Sequence, residues 1–338
     1  MYRKSVLVQL IFISLVIWGI TSCGNQEPNK EKGKKTAEIP SDIRSISSEI
    51  EKDSRNPELY YRRAQMYLQS KDPVLALPDI DDAIRLDSID PMYHYTKARI
   101  LYALNRTLAA EQSYVKSIEL KSDFEEAKMK LAELYLIVKE HQKSIDLLND
   151  VVASNKRNAP AFFFRGMNQK EMGDTGKAIA SFQRAFETDN AFYDAAIQLG
   201  LLYTAKKNPI ALEYLNAAIK MQPRSIEAYF SRAYYYQEMK DFQKALSDYK
   251  KVIDLDPANS DAYYNVGVIN YEVKQYAAAV KSLDYCIQMN AEMPEAYFMR
   301  GLAYEKLGDK AEALLNFEHV RRMGVVSDEL RQALKRVK

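Results

Sequence analysis

Between residues 57 and 327, apolar residues recur three and four places apart in short runs separated by polar breaks. That is the period of amphipathic helices, not the alternation of strands. The breaks hold turn formers. Gly173-Asp174, Lys207-Asn208-Pro209, Lys240-Asp241 and Gly308-Asp309 divide units in two, and Pro223 and Pro257 close them. The pattern predicts helix, turn, helix, many times over.

A longer period lies on top of the short one. The residues that open each unit are Tyr60, His94, Lys128, Phe162, Ala196, Tyr229, Tyr263 and Tyr297, spaced 34 apart except for a step of 33 near Asn208-Pro209. Four places on, every unit has a small residue: Ala64, Ala98, Ala132, Gly166, Gly200, Ala233, Gly267 and Gly301. A second small column runs Ala76, Ala110, Ser144, Ala178, Ala211, Ala245, Ala279 and Ala313. Columns this uniform predict backbones in close approach, with large residues such as Tyr236 and Tyr249 as knobs for the notches.

The period and the order aromatic, Gly/Ala, Tyr, Ala, aromatic, Ala, Pro are clearest from Ile226 to Asn259. In both, the units resemble the tetratricopeptide repeat. The resemblance implies an all-α fold, a right-handed α-solenoid of about eight helical hairpins. The units would be 57–90, 91–124, 125–158, 159–192, 193–225, 226–259, 260–293 and 294–327, together 57–327. Terminal repeats need lids over otherwise bare faces. Residues 41–56, with Ile43, Ile46 and Ile50, and 328–338, with Leu330, Leu334 and Val337, have the pattern of such capping helices. Departures are local: His94 and Lys128 open repeats two and three, and Gln169 and Asn270 stand where tyrosine is expected. Pro78, inside the second helix of the first unit, predicts a late start or a kink there.

One polar column adds a packing expectation. Arg63, Arg165, Arg232 and Arg300 recur with Asp79, Ser181, Asp248 and Asn316 sixteen places later; where Leu131 replaces the arginine, Leu147 replaces its partner. A bridge between the two helices of a hairpin, exchanged once for an apolar contact, accounts for the covariation.

The first forty residues are different. Arg3-Lys4 precede an apolar run from Val6 to Ile20, and Ile20-Thr21-Ser22-Cys23 follows, in the order of a secretory signal. The last four residues resemble the lipobox of bacterial lipoproteins. By that resemblance residues 1–22 are a cleaved signal peptide, Cys23 is lipidated, and the mature protein is anchored in the cell envelope, at the outer membrane. Residues 24–40, rich in Lys and Glu with no apolar period, read as a flexible tether.

Charge and composition narrow the function. Lys and Arg number 48 and Asp and Glu 46; removing Arg3 and Lys4 leaves a neutral mature chain with acids and bases interleaved. Nucleic acid is not an expected partner. His94, His141 and His319 fall in different units, so no metal or cofactor is expected. His94 reads as a packed substitute for an aromatic ring and His141 as a turn residue. Gly173-Asp174-Thr175-Gly176-Lys177 lacks the full phosphate-loop spacing and reads as an inter-helix turn. Cys286 shares a column with Ala185, Ala218, Val252 and Val320 and reads as a small core residue. No catalytic residue is assigned, and an enzyme remains only as the least favoured alternative.

The inner face of such a solenoid is lined by the first helices of its units. Two columns lie on that face: Tyr61, Tyr95, Met129, Phe163, Ile197, Phe230, Tyr264 and Phe298, and, four places on, Gln65, Arg99, Glu133, Met167, Leu201, Tyr234, Val268 and Leu302. The second turns apolar from repeat four. The candidate groove is therefore Tyr61, Tyr95, Phe163, Met167, Ile197, Leu201, Phe230, Tyr234, Tyr264, Val268, Phe298 and Leu302. It would take a peptide strand or amphipathic helix of an envelope protein in assembly, secretion or wall synthesis. The same columns also fit packing between hairpins, and a groove that accepts a second copy is the structural alternative. A carboxylate clamp of groove Lys and Asn, known in relatives, is not matched, since Asn265 stands alone.

Overall fold

Each unit folds as a hairpin because its halves are amphipathic and its middle holds a residue able to reverse the chain. The computed structural model describes residues 41–338 and consists there of eighteen α-helices with no strand. A lone helix, α1 (Ser41–Lys52), precedes eight hairpins. They are α2 (Pro57–Gln69) with α3 (Pro73–Leu86), α4 (Pro91–Ala103) with α5 (Thr107–Leu120), α6 (Glu125–Ile137) with α7 (His141–Ser154), and α8 (Ala159–Glu171) with α9 (Thr175–Thr188). There follow α10 (Tyr193–Ala205) with α11 (Ala211–Met221), α12 (Ile226–Glu238) with α13 (Phe242–Leu255), α14 (Ser260–Glu272) with α15 (Tyr276–Met289), and α16 (Pro294–Leu307) with α17 (Lys310–Arg322). Helix α18 (Asp328–Val337) ends the chain. The segments expected to be a signal peptide and a tether, with Cys23 between them, lie outside the described residues.

Every hairpin turn has one residue in the left-handed region, with φ from 53° at Lys207 to 85° at Gly308. Two of these are glycines, Gly173 and Gly308; the others are Lys71, Asn105, Lys139, Lys207, Lys240 and Lys274. The next residue caps the second helix where it is an aspartate: Asp72, Asp174, Asp241 and Asp309 accept from the backbone N–H of Leu75, Lys177, Lys244 and Glu312. The single deleted residue is taken from the start of α11, which begins at Ala211 itself, whereas the other second helices begin three places before that column. Helix α3 does not start late: it runs from Pro73 through Pro78 to Leu86. Pro78 sits in its second turn, where the missing N–H removes one bond, and Ile80 and Ala83 beyond it are buried.

The two small columns are the notches of the core. A side-chain carbon added at Gly166, Gly200, Gly267 or Gly301 would lie 2.5–2.7 Å from Phe182, Leu215, Leu283 or Phe317 of the same hairpin's second helix. All four of these knobs are fully buried, as are Ile80, Leu148 and Tyr249 against Ala64, Ala132 and Ala233. Each contributes about 1.5–3 kcal/mol by leaving water.

The arginine column forms the expected bridge and extends beyond it. Arg63 grips Asp79 with two bonds of 2.7 Å, Arg232 grips Asp248 with two of 2.8 Å, Arg165 donates to Ser181 at 3.1 Å and Arg300 to Asn316 at 2.9 Å. Each guanidinium also reaches back sixteen places to the preceding second helix: Ser47, Asn149, Asn216 and Asp284. The arginines thus tie neighbouring hairpins as well as the two helices of one. Ser47 belongs to α1, which therefore occupies the place of a preceding second helix. In repeat three Leu131 is buried and Leu147 packs against its cluster.

Helix α1 buries Ile43, Ile46 and Ile50, and α18 buries Leu330, Ala333, Leu334 and Val337. Successive first helices touch, α2 with α4, α6 with α8, α10 with α12 and α14 with α16, and no pair of successive second helices packs to that extent among the described residues. The first helices therefore line the inside of the curve.

Candidate functional site: the concave face

The inner face is set by helical spacing. Residues three and four apart on each first helix share it, so one row per repeat is laid beside the next. Lys170 of α8 donates to Gln198 of α10 at 2.9 Å, joining adjacent rows; enclosure by protein lowers the pKa of its ammonium.

The structure separates the two candidate columns. In the first, rings lie on the knob of their own second helix: Tyr95 on Tyr114, Phe163 on Phe182, Phe230 on Tyr249 and Phe298 on Phe317, with centroids 5.3–5.9 Å apart. Tyr61 lies 5.0 Å from Tyr93 of the next hairpin. Phe163, Ile197 and Phe298 are buried, and so is Met167 of the second column. These four are packing residues with little surface for a partner, because the knobs and the next first helix cover them. Tyr61, Tyr95, Phe230 and Tyr264 keep part of their surface. Leu201, Tyr234, Val268 and Leu302 of the second column are half-buried and form an apolar strip along repeats five to eight.

At the other end of the solenoid the face holds a cleft with both charged and apolar walls. The cleft, of about 300 Å³, is lined by Leu68, Arg99, Tyr102, Tyr114, Lys130, Glu133, Leu134 and Ile137. Lys130 pairs with Glu133 at 2.8 Å, and Tyr102 and Ile137 are exposed. Neither of the two columns contains Leu68, Tyr102 or Ile137. They lie one helical turn further along the same face, and extending the i+3 and i+4 steps by one turn would have found them.

Other candidate chemistry is structural. Cys286 is fully buried, its thiol pushed up to about 12 by loss of water, and its sulfur lies 3.5 Å from that of Met293. His94 takes the aromatic place as expected: its Nε2 lies 2.9 Å from the Ser88 carbonyl, matching Tyr60, whose hydroxyl donates to the Ser54 carbonyl six places earlier. His141 opens α7, with Nδ1 3.1 Å from Oδ1 of Asn168. Gly173, with φ +80°, and Asp174 form the turn into α9. Asn265 donates to the Asp261 carbonyl and so presents no clamp. Among the described residues no group of three or more His, Cys, Asp and Glu could hold a metal, and no helix is long and apolar enough to cross a membrane.

Family models described as tetratricopeptide repeats match residues 93–124, 159–192, 226–259, 248–281 and 271–318. A search of curated proteins finds no match. Among solved structures, a tetratricopeptide repeat protein from Parabacteroides merdae aligns with a TM-score of 0.56 at 16% identity, over 73% of this chain and 98% of its own. The C-terminal part of a repeat-containing protein from Cytophaga hutchinsonii aligns with 0.56 at 20% identity, over 65% and 91%. The Cut9–Hcn1 hetero-tetramer of the APC/C aligns with 0.53 at 14%, over 87% and 58%. These likenesses share the fold, and the matched segments carry its signature. The chain thus contains tetratricopeptide repeats at 93–124, 159–192 and 226–318, and its described residues share the solenoid fold of such proteins.

Proposed function

We propose that this scaffold is a lipoprotein, anchored through Cys23 at the bacterial outer membrane, that holds envelope proteins by a peptide strand or helix laid along its concave face. Its work would lie in envelope assembly, secretion or wall synthesis. The observation that carries the docking part is the apolar strip of Leu201, Tyr234, Val268 and Leu302, half-buried on four successive first helices. Apolar side chains in one continuous row mark a contact surface when a second chain can cover them. The anchoring rests on the lipobox-like Ile20-Thr21-Ser22-Cys23.

Affinity capture from envelopes tests it, comparing the native chain with a Leu201→Glu, Leu302→Glu variant of unchanged helicity. Loss of specific envelope proteins from the variant is expected, and an identical catch would contradict the groove. Metabolic labelling with a fatty acid tests the anchor: label on the native chain and none on Cys23→Ser is expected. Self-association predicts a dimer that the same groove variant dissolves, which light scattering would reveal.

A further inference from the structure

The second place of the first helix holds an acid in four successive repeats: Asp194, Glu227, Asp261 and Glu295. Each stands seven places before a member of the apolar strip, Leu201, Tyr234, Val268 and Leu302, so each lies two helical turns away on the same face. The acids form one edge of the strip, a row of carboxylates beside a row of apolar side chains.

An acid in the first turn of a helix has an ordinary explanation, the favourable field of the helix N-terminus, and that field would lower its pKa. Here the opposite holds. Loss of water pushes the carboxyls of Asp194, Glu227 and Asp261 above the usual range, and Asp194 adds to the effect at Glu227. The hydroxyl of Tyr193 donates to Glu227 at 3.1 Å and offsets only part of it. Asp194 and Glu227 are nevertheless exposed, and Asp261 and Glu295 half-exposed. Carboxylates open to solvent yet crowded by protein lie on a concave surface. Among the described residues no lysine or arginine forms a salt bridge with any of these four. Two cations that do reach this face are engaged elsewhere: Lys170 donates to Gln198, and Arg336 of α18 holds Glu305 with bonds of 2.6 and 2.9 Å. The row is broken in the first four repeats, where the same place holds Glu58, Met92, Glu126 and Pro160, and the cleft there is lined by Arg99, Lys130 and Glu133.

We infer that repeats five to eight take a basic amphipathic segment of a partner protein, its apolar side chains on the strip of Leu201, Tyr234, Val268 and Leu302, and its lysines or arginines on Asp194, Glu227, Asp261 and Glu295. This deepens the scaffold reading and rests on it. Helices packed about 9 Å apart place the outer rows roughly 30 Å from each other. A partner helix of about 20 residues covers that span. The first repeats offer no unbroken acidic row, and Arg99 stands exposed there, which favours the second half of the face for a basic segment.

The test titrates the full chain at low salt with three fluorescein-labelled helical peptides of about 20 residues. They share one leucine face and differ in a polar face of lysine, glutamine or glutamate. The lysine peptide is expected to bind about tenfold or more tighter than the glutamate peptide. It should lose that advantage on Asp194→Asn, Glu227→Gln, Asp261→Asn, Glu295→Gln, a near-isosteric variant checked for unchanged helicity, and at high salt. Equal affinity for the lysine and glutamate peptides, unchanged affinity of the carboxamide variant, or no binding of the lysine peptide would overturn the inference. A glutamine peptide that binds the native chain but not Leu201→Glu, Leu302→Glu would keep the groove as a docking surface and remove only its charge preference.

Discussion

Arg232 holds Asp248 with two parallel bonds of 2.8 Å and turns its third nitrogen to Asn216 of the preceding hairpin at 2.7 Å. Asp248 is 6% exposed, so its charge depends on this one partner. Removing the guanidinium leaves a buried carboxylate unpaired, at a cost of about 3 kcal/mol. Arg232→Leu is therefore expected to lower the urea midpoint strongly. The double variant Arg232→Leu, Asp248→Leu, which copies the native Leu131 and Leu147, should recover most of the loss. Additive effects of the two single changes in a double-mutant cycle would show that the bridge couples nothing.

The notches predict a steric effect. A methyl on Gly200 would stand 2.5 Å from Cδ2 and 2.6 Å from Cγ of Leu215, which is fully buried and cannot swing into solvent. Gly200→Ala is expected to cost about 1–3 kcal/mol. Leu215→Val beside it should return part of that, measured by thermal melting. Gly176→Ala, with no protein atom closer than 3.8 Å to the added carbon, is the control and should not destabilise.

The turns predict a gain. Lys240 has φ 61°, where a side chain strains the backbone and glycine does not. Lys240→Gly should raise stability by roughly 0.5–1 kcal/mol, the left-handed cost relieved less the entropy of glycine in the unfolded chain. Gly308→Lys should do the reverse. A loss on Lys240→Gly would mean that the entropy of glycine in the unfolded chain outweighs the backbone strain relieved at this φ.

The crowded acids predict a pH effect of definite sign. The carboxyls of Asp194, Glu227 and Asp261 hold their protons more tightly in the folded chain than in the unfolded one. Their contribution to stability is therefore most favourable below the ordinary carboxylate value of about 4. It falls as pH rises through the raised folded values and then stays level. Asp194→Asn, Glu227→Gln, Asp261→Asn is expected to melt above the native chain at neutral pH, with the gap closing in acid. A gap that widens in acid would place these groups in stabilising ion pairs instead.

Much of the fold is legible in the sequence because repetition averages out local ambiguity. A small residue at one place says little, whereas Ala64 through Gly301 at one place in eight units says that backbones touch there. The arginine bridge was legible for the same reason, through the paired change to Leu131 and Leu147. Its second half, the reach back to Ser47, Asn149, Asn216 and Asp284, was not, because the acceptors differ in type and one lies in the capping helix. Four of the eight turns, at Lys71, Asn105, Lys139 and Lys274, were hidden too, since lysine or asparagine at positive φ carries a weaker signal than glycine would. The groove was legible as a face but not as a surface. Phe163 and Leu201 look alike in a column of apolar residues, and only the packed structure shows that Phe182 and Phe192 cover the first. The 300 Å³ cleft is not legible in the two columns because its exposed walls, Tyr102 and Ile137, stand one helical turn beyond them.

The most direct measurement of the central claim, that partners are held on the inside of the curve, is site-specific photocrosslinking in living cells. A benzophenone side chain replaces Leu201 or Leu302 on the concave face, or Leu108 at the start of second helix α5, where it is 77% exposed. The account predicts discrete crosslinked partners from Leu201 and Leu302, with none of those bands from Leu108. The same bands from Leu108, or none from either inner position, would contradict it.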